Sequence, residues 1–168
     1  MGRWVPLCCS IKDPKIRWPN TVIVKDHKIS GVLINIEALT NGPLALIGIG
    51  INVSMSQEEC QKIDQPVTSL FCELANKASS IEDVLSTLTQ SLHQRLCVTD
   101  LKKSFKDYDK ALAYKEEVVK FIAGEEEYKK GLIYEKKFKG ITSKGHLILD
   151  SFLEPFSNGE IAPKELSE

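Results

Sequence analysis

Three short polar or glycine-bearing signals, parted by apolar runs of strand length, constrain this chain more than any other feature. They are Arg17-Trp18-Pro19-Asn20-Thr21, Lys28-Ile29-Ser30-Gly31-Val32-Leu33 and Gly48-Ile49-Gly50-Ile51-Asn52. Short apolar runs bounded by turn chemistry read as strands. The arrangement therefore predicts one sheet that presents a ligand site at its strand ends, with the rest of the chain as support.

The surrounding sequence fills in that sheet. Met1 to Pro14 has no clear periodicity, and the residue before Pro14 is pushed away from helix, so this stretch reads as a tail or a severed edge. Thr21 to Val24 is a β-branched run, Lys25 to Lys28 a polar turn, and Ile29 to Ile36 a second strand. Leu44 to Val53 repeats the pattern after the Asn41-Gly42-Pro43 turn. The near-continuous apolar character of the second and third strands predicts that something covers both sides of the sheet.

Beyond Asn52 the pattern becomes helical. A helix is expected within Leu70 to Ala78, and Ser80 is placed to cap another over Ile81 to Val98, where Ile81, Val84, Leu85, Leu88, Leu92 and Leu96 recur at helical spacing. Asp100 caps a shorter lysine-rich helix from Leu101 to about Tyr114. From Glu117 the period drops to two. Val118 to Ile122, Tyr128 to Tyr134, Lys136 to Ile141 and His146 to Leu149 read as short strands of a small barrel or meander.

The 168 residues carry a formal net charge of -1, so no global field holds the molecule to nucleic acid or anionic lipid. Lysines gather between Lys102 and Lys144, but Asp107, Glu116 and the Glu125 to Glu127 run interleave with them, as on a solvated face. The five cysteines have no C-x-x-C spacing and read as reduced, mostly buried thiols of a cytoplasmic protein. The apolar stretch Trp4 to Cys9 is too short for a signal-peptide core or a bilayer span.

Among residues able to do chemistry, Lys28 stands where a polar turn enters an apolar strand. Such an ammonium is either solvated or aimed into a site. Gly31 favours the latter, since a missing side chain lets a ligand approach the backbone; a bulge or tight packing is the other reading. Gly48 and Gly50 clear one strand in the same way, and Asn52 offers donors and acceptors at its end. This is not the dinucleotide fingerprint, whose third glycine and following helix are absent. His27, His93 and His146 are scattered and propose neither a metal site nor a triad.

Taken in order with Val67-Thr68-Ser69-Leu70, these stretches resemble the biotin-protein ligases, whose pattern reads K-W-P-N-D, K-[LI]-[AS]-G-[IV]-L-x-E, G-x-G-[IL]-N and A-T-S-L. The tail, through Tyr128 to Asp150 and Ser157 to Ile161, is similar to the family's small carboxy-terminal domain. The resemblance implies an α+β fold: residues 1–114 as the carboxy-terminal part of a class II synthetase-like catalytic domain with a mixed sheet and helices, then residues 115–168 as an SH3-like β-barrel. It implies ATP, biotin and Mg²⁺, formation of biotinyl-5'-AMP, and transfer of biotin to a lysine of a biotin carboxyl carrier protein. By the same resemblance Lys28 is the catalytic lysine, Asn20 and Asn52 lie near the adenylate, Trp18 helps to build the pocket, and Gly31 lies beside the biotin tail. Gly48 and Gly50 complete the binding set, and no metal-ligating residue is assigned.

The sequence also departs from the family pattern. Arg17 replaces a lysine, Thr21 an aspartate that serves the Mg²⁺ and phosphate region, and Asn35 a common glutamate. The family's G-R-G-R-x-G-R-x-W loop precedes these motifs, whereas this sequence opens Met1-Gly2-Arg3-Trp4. A truncated or degenerate, non-catalytic relative that binds a carrier protein is thus the alternative expectation, and a biotin-responsive repressor a third. No nucleic-acid or membrane partner is expected. A sheet with a severed edge is expected to associate into a dimer or larger assembly.

Overall fold

The computed structural model describes residues 11–75, 80–97, 100–124 and 132–163. Its first half is a four-stranded antiparallel meander of β1 (Lys15–Arg17), β2 (Thr21–Val24), β3 (His27–Leu39) and β4 (Gly42–Ile51), in that spatial order. Lys25 and Asp26 both take positive φ, 48° and 66°, which closes β2 onto β3 in a two-residue turn. Gly42, at φ 117°, turns β3 into β4. Pro43 is tolerated in β4 because β4 is the sheet's edge. The three-residue β1 is too short to show a period and is not foreseen by the sequence pattern, which continues from the aperiodic tail straight into the Arg17 to Thr21 signal.

β3 and β4 run together from Ser30 opposite Ile51 to Leu39 opposite Gly42, whereas β2 leaves β3 at Thr21 opposite Gly31. Past that point the hairpin is a two-stranded arm. Leu33 is 64% exposed and Ile36 73%, and Ile34, Leu39, Leu44, Leu46 and Ile47 are exposed with them. The expectation that both faces of these strands are covered is therefore corrected for the arm: none of the described residues buries it. An apolar run reports what a strand needs, not whether the same chain supplies it.

Four helices follow among the described residues, each with a side chain that caps its first turn. Ser56 and Glu59 form a reciprocal capping box on α1 (Gln57–Cys60), and Ser69 caps α2 (Leu70–Glu73). Ser80 caps α3 (Ile81–Leu96), and Asp100 caps α4 (Leu101–Ala111). The helix expected over Leu70 to Ala78 is one turn long, ending before Ala75 at φ 56°; 76–78 lie outside the described residues. In α3 the periodic stripe is present, yet Val84 is its buried member while Ile81, Leu85 and Leu96 stay exposed.

The second sheet holds β5 (Val118–Ala123), β6 (Ile133–Ile141), β7 (Leu147–Leu149) and β8 (Gly159–Ile161), in the order β7-β6-β5-β8 with every pairing antiparallel. The two strands expected at Tyr128 to Tyr134 and Lys136 to Ile141 merge into β6, since no turn residue separates Tyr134 from Lys136; 128–131 lie outside the described residues. Among the described residues the sheet is open and does not close into a barrel.

One core joins the two halves. Phe121, Phe138 and Phe156 are buried with Leu147, Leu149 and Ile161, and Trp18, Ile23, Leu112, Ala113 and Tyr114 belong to the same cluster. Phe121 and Phe156 meet edge to face at 4.7 Å. Each such side chain contributes about 1.5–3 kcal/mol on burial. Backbone bonds stitch the halves as well: Ala113 donates to the Ile16 carbonyl at 2.8 Å and Ile161 to that of Trp18 at 3.2 Å. A smaller cluster of Ile11, Val24, Ile29, Leu70 and Val84 lies beneath the first sheet and fixes the start of β3.

Candidate ligand cleft around Lys28

Where β2 gives way to the free arm, a cleft of about 650 Å³ opens over β3 and β4. Asn20, Lys28, Gly31, Gly48, Gly50 and Asn52 all line it, so six of the seven residues singled out from the sequence converge. The glycine register explains the opening. Gly31 pairs with Gly50, and Gly48 pairs with Leu33, which removes side chains from adjacent positions of both strands. A Cβ placed on Gly50 would meet nothing within 4 Å, and one on Gly48 only the Leu33 carbonyl oxygen at 3.8 Å.

Lys28 enters this space with its backbone locked. Its N–H donates to the Pro66 carbonyl and its own carbonyl accepts from Thr68 N–H, both at 2.9 Å. The side chain runs toward Gly31, where an added Cβ would lie 3.4 Å from Cε and 3.7 Å from Nζ. Among the described residues no carboxylate forms an ion pair with it, so its charge is available to a ligand.

Asn52 closes the strand end. Its Nδ2 donates to the Thr68 carbonyl at 2.9 Å and, at a longer 3.4 Å, to that of Lys28. Its backbone N–H donates to the Ile29 carbonyl, and its own carbonyl accepts from Leu70 N–H. The amide thus ties β3, the end of β4 and the segment leading into α2. Asn20 Nδ2 donates to the Val32 carbonyl at 2.7 Å, which fixes its carbonyl end at the rim. The motif Val67-Thr68-Ser69-Leu70 carries no site role on sequence grounds, yet its backbone is what holds Lys28 and Asn52. Ser30, whose hydroxyl donates to the Gly50 carbonyl at 2.7 Å, is likewise unmarked in the sequence. Neither role is visible without the register.

Trp18 lies elsewhere. It is 3% exposed, packs toward Phe121 at 6.2 Å between ring centres, and donates from Nε1 to the Gly145 carbonyl at 3.0 Å. It supports the cleft by joining the two sheets and does not line it. Tyr108 braces the neighbouring turn by donating to the Pro19 carbonyl at 2.7 Å, and burial pushes its hydroxyl pKa up to about 12. Arg17 is buried on β1, with one guanidinium nitrogen lacking a hydrogen-bond partner among the described residues.

Thr21, Asn20 and Asn52 are neutral, and no carboxylate stands among the described residues that line the cleft. The described residues contain no group of three His, Cys, Asp or Glu side chains able to hold a metal. The cleft therefore suits an anionic ligand and does not fit a protein-held Mg²⁺. Of the lysines expected on a solvated face, Lys137 and Lys139 pair with Glu116 at 2.9 and 3.4 Å, and Lys115 with Asp109 at 2.7 Å.

The fold has counterparts among solved structures. A biotin protein ligase from Aquifex aeolicus superposes with a TM-score of 0.70 at 24% identity, over 89% of this chain and 64% of that one. The chain has the fold of the biotin protein ligases. The same Aquifex ligase in complex with biotin and ATP matches with a TM-score of 0.66, over 89% of this chain and 61% of that one. In sequence, 81 residues are 30% identical to a biotin–[acetyl-CoA-carboxylase] ligase of Mycobacterium tuberculosis, which is 48% of this chain and 27% of that protein. The chain spans less than two-thirds of the length of these ligases. No protein-family profile matches it.

Proposed function

We propose that this chain carries the lysine-bearing side of a biotin-protein ligase active site, which condenses biotin with ATP and passes biotin to a lysine of a carrier domain. The observation that supports it is the Lys28 ammonium, unpaired among the described residues, beside Gly31 in a cleft cleared by Gly48 and Gly50. In the first step a biotin carboxylate oxygen attacks the α-phosphorus of ATP and pyrophosphate leaves. Negative charge gathers on the phosphoryl oxygens, and a fixed cation is most effective there. In the second step the carrier lysine's amine attacks the anhydride carbonyl and AMP leaves. Lys28 serves both steps, drawing in the carboxylate and then stabilising the departing phosphate. Asn52 acts as a positioning residue, because its amide is committed to the backbone that aims Lys28. Any Mg²⁺ would have to arrive on the triphosphate.

In this reading residues 1–114 form the carboxy-terminal part of the catalytic domain and residues 115–168 an SH3-like appendage, in a cytoplasmic protein that acts on biotin carboxyl carrier protein. The exposed arm of β3 and β4 is the surface through which such a chain would associate with another copy. The lack of a carboxylate among the described cleft residues, with Thr21 where the family pattern has aspartate, favours one competing reading: a non-catalytic relative that binds the carrier.

The deciding experiment supplies biotin and ATP labelled at the α-phosphate. Biotin-dependent biotinyl-adenylate should form, and Lys28→Ala should slow it by about 10² to 10³ while circular dichroism stays unchanged. Activity indifferent to Lys28→Ala defeats the assignment. A folded wild type that binds carrier and makes no adenylate supports the competing reading.

A further inference from the structure

The grip on Lys28 comes from outside its own cleft. β4 pairs with β3 only as far as Ile51 opposite Ser30; past that point the Pro66 to Thr68 segment flanks β3 instead, with Val67 bridged to Lys28 in parallel. Thr68 is buried there and bonded three times. Its N–H donates to the Lys28 carbonyl at 2.9 Å, its carbonyl accepts from the Asn52 amide at 2.9 Å, and its hydroxyl donates to Glu73 Oε1 at 2.8 Å. The first two bonds act on residues of the Lys28 cleft, whereas Thr68 and Glu73 themselves line a second cleft with Lys25 and His27.

Glu73 is the last residue of α2, and its side chain is only 14% exposed. Its other oxygen, Oε2, lies 3.5 Å from Lys25 Nζ, in the turn that leads into β3. One carboxylate thus takes hold of the turn before Lys28 and of the segment beside it. The two holds are unequal. Lys25 is 77% exposed, so that ion pair adds little in water, whereas the hydroxyl-to-carboxylate bond from buried Thr68 is charge-assisted.

We infer that Glu73 is a positioning residue for Lys28: through the Thr68 hydroxyl it fixes the segment that holds the Lys28 backbone, and so the place of the ammonium in the ligand cleft. The inference rests on the ligase reading for its effect on rate, and on the hydrogen bonds alone for its effect on the backbone. Glu73 does not line the Lys28 cleft, so it acts on no ligand there directly. A small displacement of the reacting cation slows chemistry while the rest of the cleft still holds the substrate. The loss therefore falls on kcat and not on KM.

The test measures adenylate formation by the full chain from biotin and α-labelled ATP, with amide exchange on the same proteins. Glu73→Ala should lower kcat by about tenfold and leave KM for ATP within about twofold. Glu73→Gln keeps an oxygen for the Thr68 hydroxyl and should recover most of the rate. Thr68→Val deletes the donor and keeps the shape; it should repeat the Glu73→Ala loss, and it replaces that variant if Glu73→Ala does not fold. In a Lys28→Ala background, Glu73→Ala should slow the residual reaction no further. Exchange at the Lys28 and Thr68 amides should quicken by about tenfold in Glu73→Ala, while the Phe138 amide in the second sheet keeps its rate. Glu73→Gln as slow as Glu73→Ala, a further loss in the Lys28→Ala background, a change in KM alone, or unaltered exchange at Lys28 and Thr68 would each overturn the inference. A wild type that forms no adenylate counts against the ligase reading, and exchange then decides the positioning role.

Discussion

The Lys28 ammonium lies beside Gly31 at a spacing that leaves room for one methyl group and no more. A Cβ at Gly31 would rest 3.4 Å from Lys28 Cε and 3.7 Å from Nζ, in ordinary van der Waals contact. Alanine therefore fits, whereas a branched side chain must push the lysine aside and fill the cleft. We expect Gly31→Ala to keep both fold and adenylate formation, and Gly31→Val to slow adenylate formation by about tenfold or more through displaced charge. Single-turnover rates on the two variants check this. Equal rates for alanine and valine would show that the position of Lys28 does not matter.

Asn52 predicts a different kind of loss. Its Nδ2 bond to Thr68 and its longer bond to Lys28 tie together backbone from three segments, in a partly buried place where water replaces them poorly. Asn52→Ala should cost about 1–3 kcal/mol, since carbonyls are left short of a donor. Urea unfolding measures it. Asn52→Asp should be no milder, because the carboxylate cannot donate to either carbonyl.

What is legible in the sequence is what depends on near neighbours. The β2–β3 and β3–β4 turns, the Ser80 and Asp100 caps and the alternating glycines are each written within a few residues, and the structure has them all, though both turns are tighter than the spacing predicts: His27 and Lys28 already belong to β3, and Gly42 and Pro43 to β4. The convergence of Asn20, Lys28 and Asn52 is legible only through family resemblance, since composition alone says nothing of register. Partners distant in sequence are invisible: Trp18 to Gly145, Tyr114 to Asp26. So is the bare arm, because apolar strands look alike whether their cover belongs to the same chain or not. The merging of two expected strands into β6 has a simple cause, a turn assumed where no glycine, proline or asparagine stands.

Burial of two tyrosines predicts an alkaline limit. Burial pushes the Tyr108 pKa up to about 12, and burial together with the 2.6 Å bond to Asp26 raises that of Tyr114 still further. A hydroxyl with a raised folded-state value adds stability that is fully present below the unfolded value, near 10, and is lost as pH climbs through the folded one. Melting temperature should hence be flat from neutral pH to about 10 and fall steeply above it. Tyr108→Phe should lower the plateau, by loss of the bond to Pro19, yet soften the alkaline fall. Thermal melts across that range decide the matter; an unchanged slope in the variant would remove Tyr108 as a cause.

The last prediction concerns how the two sheets move. From α4 the chain passes into β5 through Leu112, Ala113 and Tyr114, all buried, while Glu116 N–H donates to the Phe138 carbonyl and Phe138 N–H to that of Glu117. There is no glycine-, serine- or proline-rich linker here to act as a hinge. Trp18 crosses the junction twice, by burying its ring in the shared cluster and by donating to Gly145. Unfolding should therefore be a single transition, and limited proteolysis should not release a fragment cut between Ala113 and Glu117. Trp18→Phe keeps most of the apolar contact and deletes the hydrogen bond, leaving the Gly145 carbonyl to find water. It should cost about 1–3 kcal/mol without splitting the transition. Trp18→Ala removes the ring as well, at about 3–5 kcal/mol, and should be the substitution that first uncouples the sheets. Rapid cutting of the wild type near Ala113, or two separate melts, would mean that the shared core does not bind the halves into one unit.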